Sequence, residues 1–143
     1  MDAELVVESS LEHDGDGLVR YVLSAHNRTF RASAYAWGNT EDHLELANAL
    51  VAFPASSSAR INYRFGTPGT GTCELEFFCL DGLGHLGVWS TLEAEYEVGR
   101  GLGFESARVF LRCEPAAIDA FVASLRRFVP GAENVAVLSG RGP

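Results

Sequence analysis

Acidic residues alternate at Glu93, Glu95 and Glu97. On an extended strand these carboxylates share one face about 7 Å apart, because each residue rises ~3.4 Å. Three chemistries suit that spacing. The carboxylates could form an acidic recognition stripe. They could be neutralised from neighbouring strands by Arg64, Arg108 and Arg112, in exposed pairs worth under about 1 kcal/mol each. Two of them could flank a scissile glycosidic bond, which needs carboxylates ~5 to 9 Å apart, although no sugar-binding cleft is recognisable. His85 follows the turn Asp81-Gly82-Leu83-Gly84 and can hydrogen-bond Asp81 across it. It reads as a neutral imidazole capping the turn ahead of a general base.

The other reactive residue types give less. His13, His26, His43 and His85 lack the close pairing that zinc requires, and Cys73, Cys79 and Cys113 lack a C-x-x-C spacing, so no metal site or disulfide framework is indicated. The cysteines read as small buried hydrophobes. The glycine-rich stretches at 66–71 and 99–103 neither open into a helix nor carry the lysine of a phosphate loop, so they read as hairpin tips. Trp37 is expected as a core lid where the first strands enter a helix. Trp89, on a polar strand face, is the better contact anchor.

Alternating apolar residues place strands at Ala3–Glu8, Leu18–Ala25 and Thr29–Ala36, separated by turn-forming residues. Asn39-Thr40-Glu41-Asp42 supplies capping side chains and early acids for a helix whose apolar face is Leu46, Ala47, Leu50, Val51 and Phe53, ended by Pro54. Strands follow at Ala59–Phe65, Thr72–Leu80, His85–Val98 and Phe104–Cys113. Pro115 opens a last helix with the stripe Ile118, Phe121, Val122, Leu125 and Val129. Val135–Leu138 is either a short extra strand or part of a tail. No repeat or linker is visible, so the expectation is one α+β domain over 1–143. Its order is βββαββββα, an antiparallel meander with two helices packed on one face.

Side-chain parity sharpens this, since a one-residue slip turns every side chain to the other face. Pairing across Asp81-Gly82-Leu83-Gly84 sets Phe77 opposite Val88, Leu75 opposite Ser90 and Cys73 opposite Leu92 on the dry face. Glu76 then meets Trp89, and Phe78 covers bare Gly87. Upstream, Phe65 meets Cys73, Tyr63 meets Leu75, Ile61 meets Phe77 and Arg64 meets Glu74. Downstream, Leu92 is expected opposite Leu111, Ala94 opposite Val109 and Glu95 opposite Arg108. The polar face then carries Arg64, Glu74, Glu76, Trp89, Glu93, Glu95, Glu97 and Arg108.

The bulk composition excludes some classes. With 143 residues, 47% of them hydrophobic, the chain can bury a core. All 11 basic residues are arginine, and against 19 acids they leave a charge of −8. A phosphate backbone repels such a chain, so nucleic acid is not an expected partner. No apolar run approaches the ~18 residues of a membrane span. The acidic opening Asp2-Ala3-Glu4 carries no secretory signal, so a bacterial cytoplasmic protein is expected.

Several local features resemble small bacterial families of unknown function. They are Trp37-Gly38 leading into Glu41-Asp42, the Phe53-Pro54 helix end, the Asp81–His85 turn and the closing Glu114–Phe121 helix start. Some of those families resemble immunity partners of secreted toxins, which implies partner binding in place of catalysis. The resulting expectation is a non-enzymatic interaction module without cofactor or metal. It would bind a protein, a basic one by charge, through Trp89, Glu76, Glu93, Glu95 and Glu97, with His85 nearby. Two alternatives stay open: a small-molecule pocket between sheet and helices, reached past His85 and Trp37, or an enzyme using His85 or a carboxylate. The strand His85–Val98 could also offer an edge for a homodimer.

Overall fold

The computed structural model describes residues 2–95 and 105–143. The strands are β1 (Ala3–His13), β2 (Val19–His26), β3 (Arg31–Gly38), β4 (Arg60–Gly66), β5 (Thr72–Cys79), β6 (Leu86–Glu93), β7 (Ser106–Cys113) and β8 (Asn134–Gly140). Helix α1 (Asp42–Leu50) follows β3, and α2 (Pro115–Arg126) lies between β7 and β8. The fold is α+β, with the expected order extended by a last strand. No helix is long and apolar enough to cross a membrane among the described residues.

Two four-stranded antiparallel sheets form, in the orders β3-β2-β1-β8 and β4-β5-β6-β7. A repeat hidden from the sequence becomes visible here. The succession βββαβ occurs twice, and each copy gives its last strand to the sheet of the other: β4 pairs with β5, and β8 pairs with β1. The helices match as well. His43, Leu46, Ala47, Leu50 and Phe53 are buried in the first copy, and Ile118, Phe121, Val122, Leu125 and Phe128 in the second. Only the pattern of burial is repeated, because packing constrains size and polarity and leaves residue identity free.

The dry faces of the two sheets turn toward each other and share one core with the helices. Tyr21 of β2 packs against Phe65 of β4 with ring centroids 5.1 Å apart, and Phe53 beyond α1 meets Phe77 of β5 at 6.4 Å. Helices α1 and α2 lie against each other, and α2 against β8. Strand β1 outruns its expected end at Glu8 by a bulge between Ser9 and His13, where Leu11 takes a φ of 56°. The Ser9 hydroxyl stabilises the bulge, accepting the Leu11 N–H at 2.9 Å and donating to the Arg20 carbonyl at 3.2 Å.

The expected pairings of β4 with β5 and of β5 with β6 are all present. The pairing of β6 with β7 differs. Leu92 faces Ala107 where Leu111 was expected, and Arg108 faces Thr91 where Glu95 was expected, a slide of four residues. An even slide preserves parity, so every side chain keeps its face. The connection from β6 to β7 is too long to set register, whereas the short turn at Asp81–Gly84 sets it for β5 and β6. Strand β6 ends at Glu93 and lies between β5 and β7. Among the described residues it therefore offers no free edge to a second copy, and Val98, the expected end of this strand, lies outside them.

Candidate interaction face

The outward side of the second sheet is built from alternate residues of four strands. Trp89 sits opposite Glu76 on one side and Phe110 on the other. The Trp89 and Phe110 rings lie 5.0 Å apart, and Phe78 lies 6.5 Å beyond Phe110. Phe78 drapes over Gly87 as the parity argument requires. A β-carbon at Gly87 would stand 2.7 Å from Cζ of Phe78 and 3.1 Å from Cε2 of Phe110. Only a bare backbone admits both rings, and Phe110 is buried to 9% exposure on a face that otherwise meets water.

Arg108, set diagonally from Trp89 on the next strand, lays its guanidinium 3.9 Å from the centre of the indole. Such stacking contributes about 0.5–2 kcal/mol, depending on how dry the pair is. Arg60 lies over Phe78 in the same way, at 5.3 Å, and its guanidinium meets Glu76 at 3.0 Å. Arg64 and Glu74 approach to 3.8 Å, both well exposed. Pairs this wet are worth under about 1 kcal/mol. Arg64, Glu74, Glu76, Trp89 and Arg108, with Asn62 and Thr91, line an open depression of about 650 Å³.

The expected site residues fall into separate places. Trp89 and Glu76 line the depression together. Glu93 shares their parity but closes the end of β6 opposite Thr72 and Ser106. Glu95 lies past the strand, where its carboxylate accepts the Tyr35 hydroxyl from the first sheet. That hydrogen bond, the largest cause, together with the carboxylate charge, raises the phenol's pKa. Glu97 lies outside the described residues. The three-carboxylate stripe is therefore not assembled on β6, and the cation nearest Trp89 carries no carboxylate among the described residues.

His85 stands at the far end of β6, away from the depression. Its Nδ1 meets the Asp81 carboxylate at 2.6 Å across the turn, as the sequence suggested, and its Nε2 lies 3.8 Å from Glu114. The Asp81 hydrogen bond raises the pKa of His85 and lowers that of Asp81. Burial pushes the thiols of Cys113 and Cys73 up to about 12. Trp37 corrects another expectation. It is not a core lid, because its neighbour Ala36 takes the inward position, and Trp37 stands on the outer face of the first sheet beside Tyr35, ring centroids 6.4 Å apart.

Sequence reasoning missed two partners in the face. Phe110 was passed over although it alternates with Arg108 and so shares its side. The stacking of Arg108 on Trp89 had no sequence signal, because it depends on the register of β7. A buried group at α1 was missed as well. The Tyr21 hydroxyl donates to the Asn39 carbonyl at 2.6 Å and lies 3.2 Å from Nδ1 of His43. Because the phenol proton goes to the carbonyl, His43 donates from Nδ1. Its ring stacks on Phe128 at 5.0 Å, and burial, the leading cause, lowers its pKa.

No protein-family model, curated protein or solved structure matches this chain.

Proposed function

We propose that this chain is a non-enzymatic protein-interaction module that receives its partner on the outer face of the second sheet. The observation that carries the proposal is the stack of Arg108, Trp89 and Phe110 beside an open depression of about 650 Å³. Tryptophan and arginine are the residue types that most often dominate binding energy at interfaces, and here each fixes the other's rotamer before a partner arrives. Glu76 and Glu74 are engaged by Arg60 and Arg64. The part of the face left for a partner is therefore aromatic and cationic at its centre.

The space that a small-molecule pocket would need, between sheets and helices, holds the fully buried side chains Tyr21, Phe65, Phe77 and Phe121. The immunity-protein resemblance fits partner binding and would make the partner a toxin encoded nearby. The test is affinity capture with wild type, Trp89→Ala, Arg108→Ala and Glu95→Ala, each checked for native circular dichroism. Loss of the captured protein in the first two variants, with retention in the third, supports this reading. Undiminished capture by Trp89→Ala would sink it.

A further inference from the structure

A second feature, at the other end of the second sheet, points to a charged ligand. Beyond β8 the chain runs back along β7. Arg112 and Arg141 there exchange two backbone hydrogen bonds, of 2.7 and 2.8 Å. Residues opposed in this way send their side chains to the same side, with Cβ atoms about 5.5 Å apart. Like charges so placed repel each other and destabilise the pair. The approach is nonetheless built in, since a β-carbon at Gly140 would lie 2.1 Å from the Arg112 carbonyl oxygen. Only glycine admits the tail to bridging distance.

Nothing among the described residues neutralises this pair. The arginine ion pairs found there belong to Arg28, Arg60 and Arg64. Both Arg112 and Arg141 line an open depression of about 870 Å³, walled also by His85, Ser139 and Ala117. Its side-chain carboxylates have other partners, Asp2 meeting Arg28 at 3.1 Å and Glu114 facing His85 at 3.8 Å, and the α-carboxylate of Pro143, which also lines it, makes no ion pair with either arginine among the described residues.

We propose that Arg112 and Arg141 together form a receptor for a small oxyanion, a phosphate or carboxylate group, in this depression. Two guanidiniums side by side offer planar N–H edges that match oxyanion geometry, and a bound anion removes their mutual repulsion. Arg112 shares the outer side of β7 with Arg108 and Phe110, but the depression it lines has no residue in common with the one beside Trp89.

The experiment titrates the full chain with inorganic phosphate and, separately, with acetate, at ionic strength held constant with sodium chloride, and follows arginine and backbone NMR signals. Saturable shifts at Arg112 and Arg141 are expected with at least one anion, and the stronger of the two identifies the group. Arg112→Gln and Arg141→Gln should each weaken binding by about tenfold or more, the worth of a charge-assisted hydrogen bond. Arg126→Gln, on the last turn of α2, should leave it unchanged. Because backbone atoms make the bridge, glutamine at either position leaves the bridge intact. Absence of saturation with both anions, wild-type affinity in both glutamine variants, or equal loss in Arg126→Gln would overturn the proposal.

Discussion

Replacing Gly87 with alanine tests the register on which the interaction face depends. The new methyl carbon would stand 2.7 and 3.0 Å from Cζ and Cε2 of Phe78 and 3.1 Å from Cε2 of Phe110. Carbon atoms pack comfortably at about 3.5–4.0 Å, so the overlap is close to an ångström against two rings at once. Phe78 cannot swing freely, because Arg60 lies over its face, and Phe110 is wedged beside Trp89. Overpacking of this kind costs about 1–3 kcal/mol. The lower chain entropy of unfolded alanine returns about 0.4–1 kcal/mol. The net expectation is a loss of about 1–2 kcal/mol, or roughly 2–8 °C in melting temperature for a chain of this size. Urea unfolding followed by tryptophan fluorescence measures it. The cycle with Phe78→Ala adds a sharper reading, since removing that ring should relieve much of the penalty and give a favourable coupling. A Gly87→Ala variant as stable as wild type, with no coupling to Phe78, would mean that the aromatic does not cover the glycine and that the register is misassigned.

Other substitutions probe the interior. Ser90 is buried between Leu75 and Val109, and its hydroxyl has no hydrogen-bond partner among the described residues. Ser90→Ala should therefore stabilise the fold by about 1 kcal/mol in denaturant titration, because it removes an uncompensated desolvation penalty. Tyr21→Phe should cost about 2 kcal/mol by the same assay, since it strips both the Asn39 carbonyl and the buried His43 of their partner. The two histidines should give opposite pH slopes. His85, with its folded pKa raised above the ordinary 6.5, contributes stability that is fully present below 6.5 and lost as pH rises through the folded value. His43, with its folded pKa lowered, binds its proton more readily when unfolded, so stability is lost as pH falls below 6.5. In His85→Gln only the second slope remains, and acidification from pH 8 to 6 should destabilise it more than wild type. Histidine NMR titrations of both sites check the signs directly.

Local periodicity was enough to place most strands and both helices to within a few residues, and short turns were enough to fix two registers. Asp81–Gly84 leaves little freedom to the strands it joins, so Phe77 had to meet Val88 and Trp89 had to face outward. The apolar stripe of α2 named four buried residues, Ile118, Phe121, Val122 and Leu125, because a 3.6-residue period admits one core-facing set, while its fifth member, Val129, lies past the helix end and is exposed. The tertiary structure decided what pairing across long connections left open. It slid β7 by four residues, a shift to which parity is blind, and so put Arg108 on Trp89 and left Glu95 to Tyr35. It joined β8 to β1 and exchanged the last strands of two βββαβ units whose residues do not resemble each other. It also brought Arg112 against Arg141. Sequence patterns record which face of an element is dry. Which edges meet depends on the free energy of the assembled core, to which residues far apart in the chain contribute jointly.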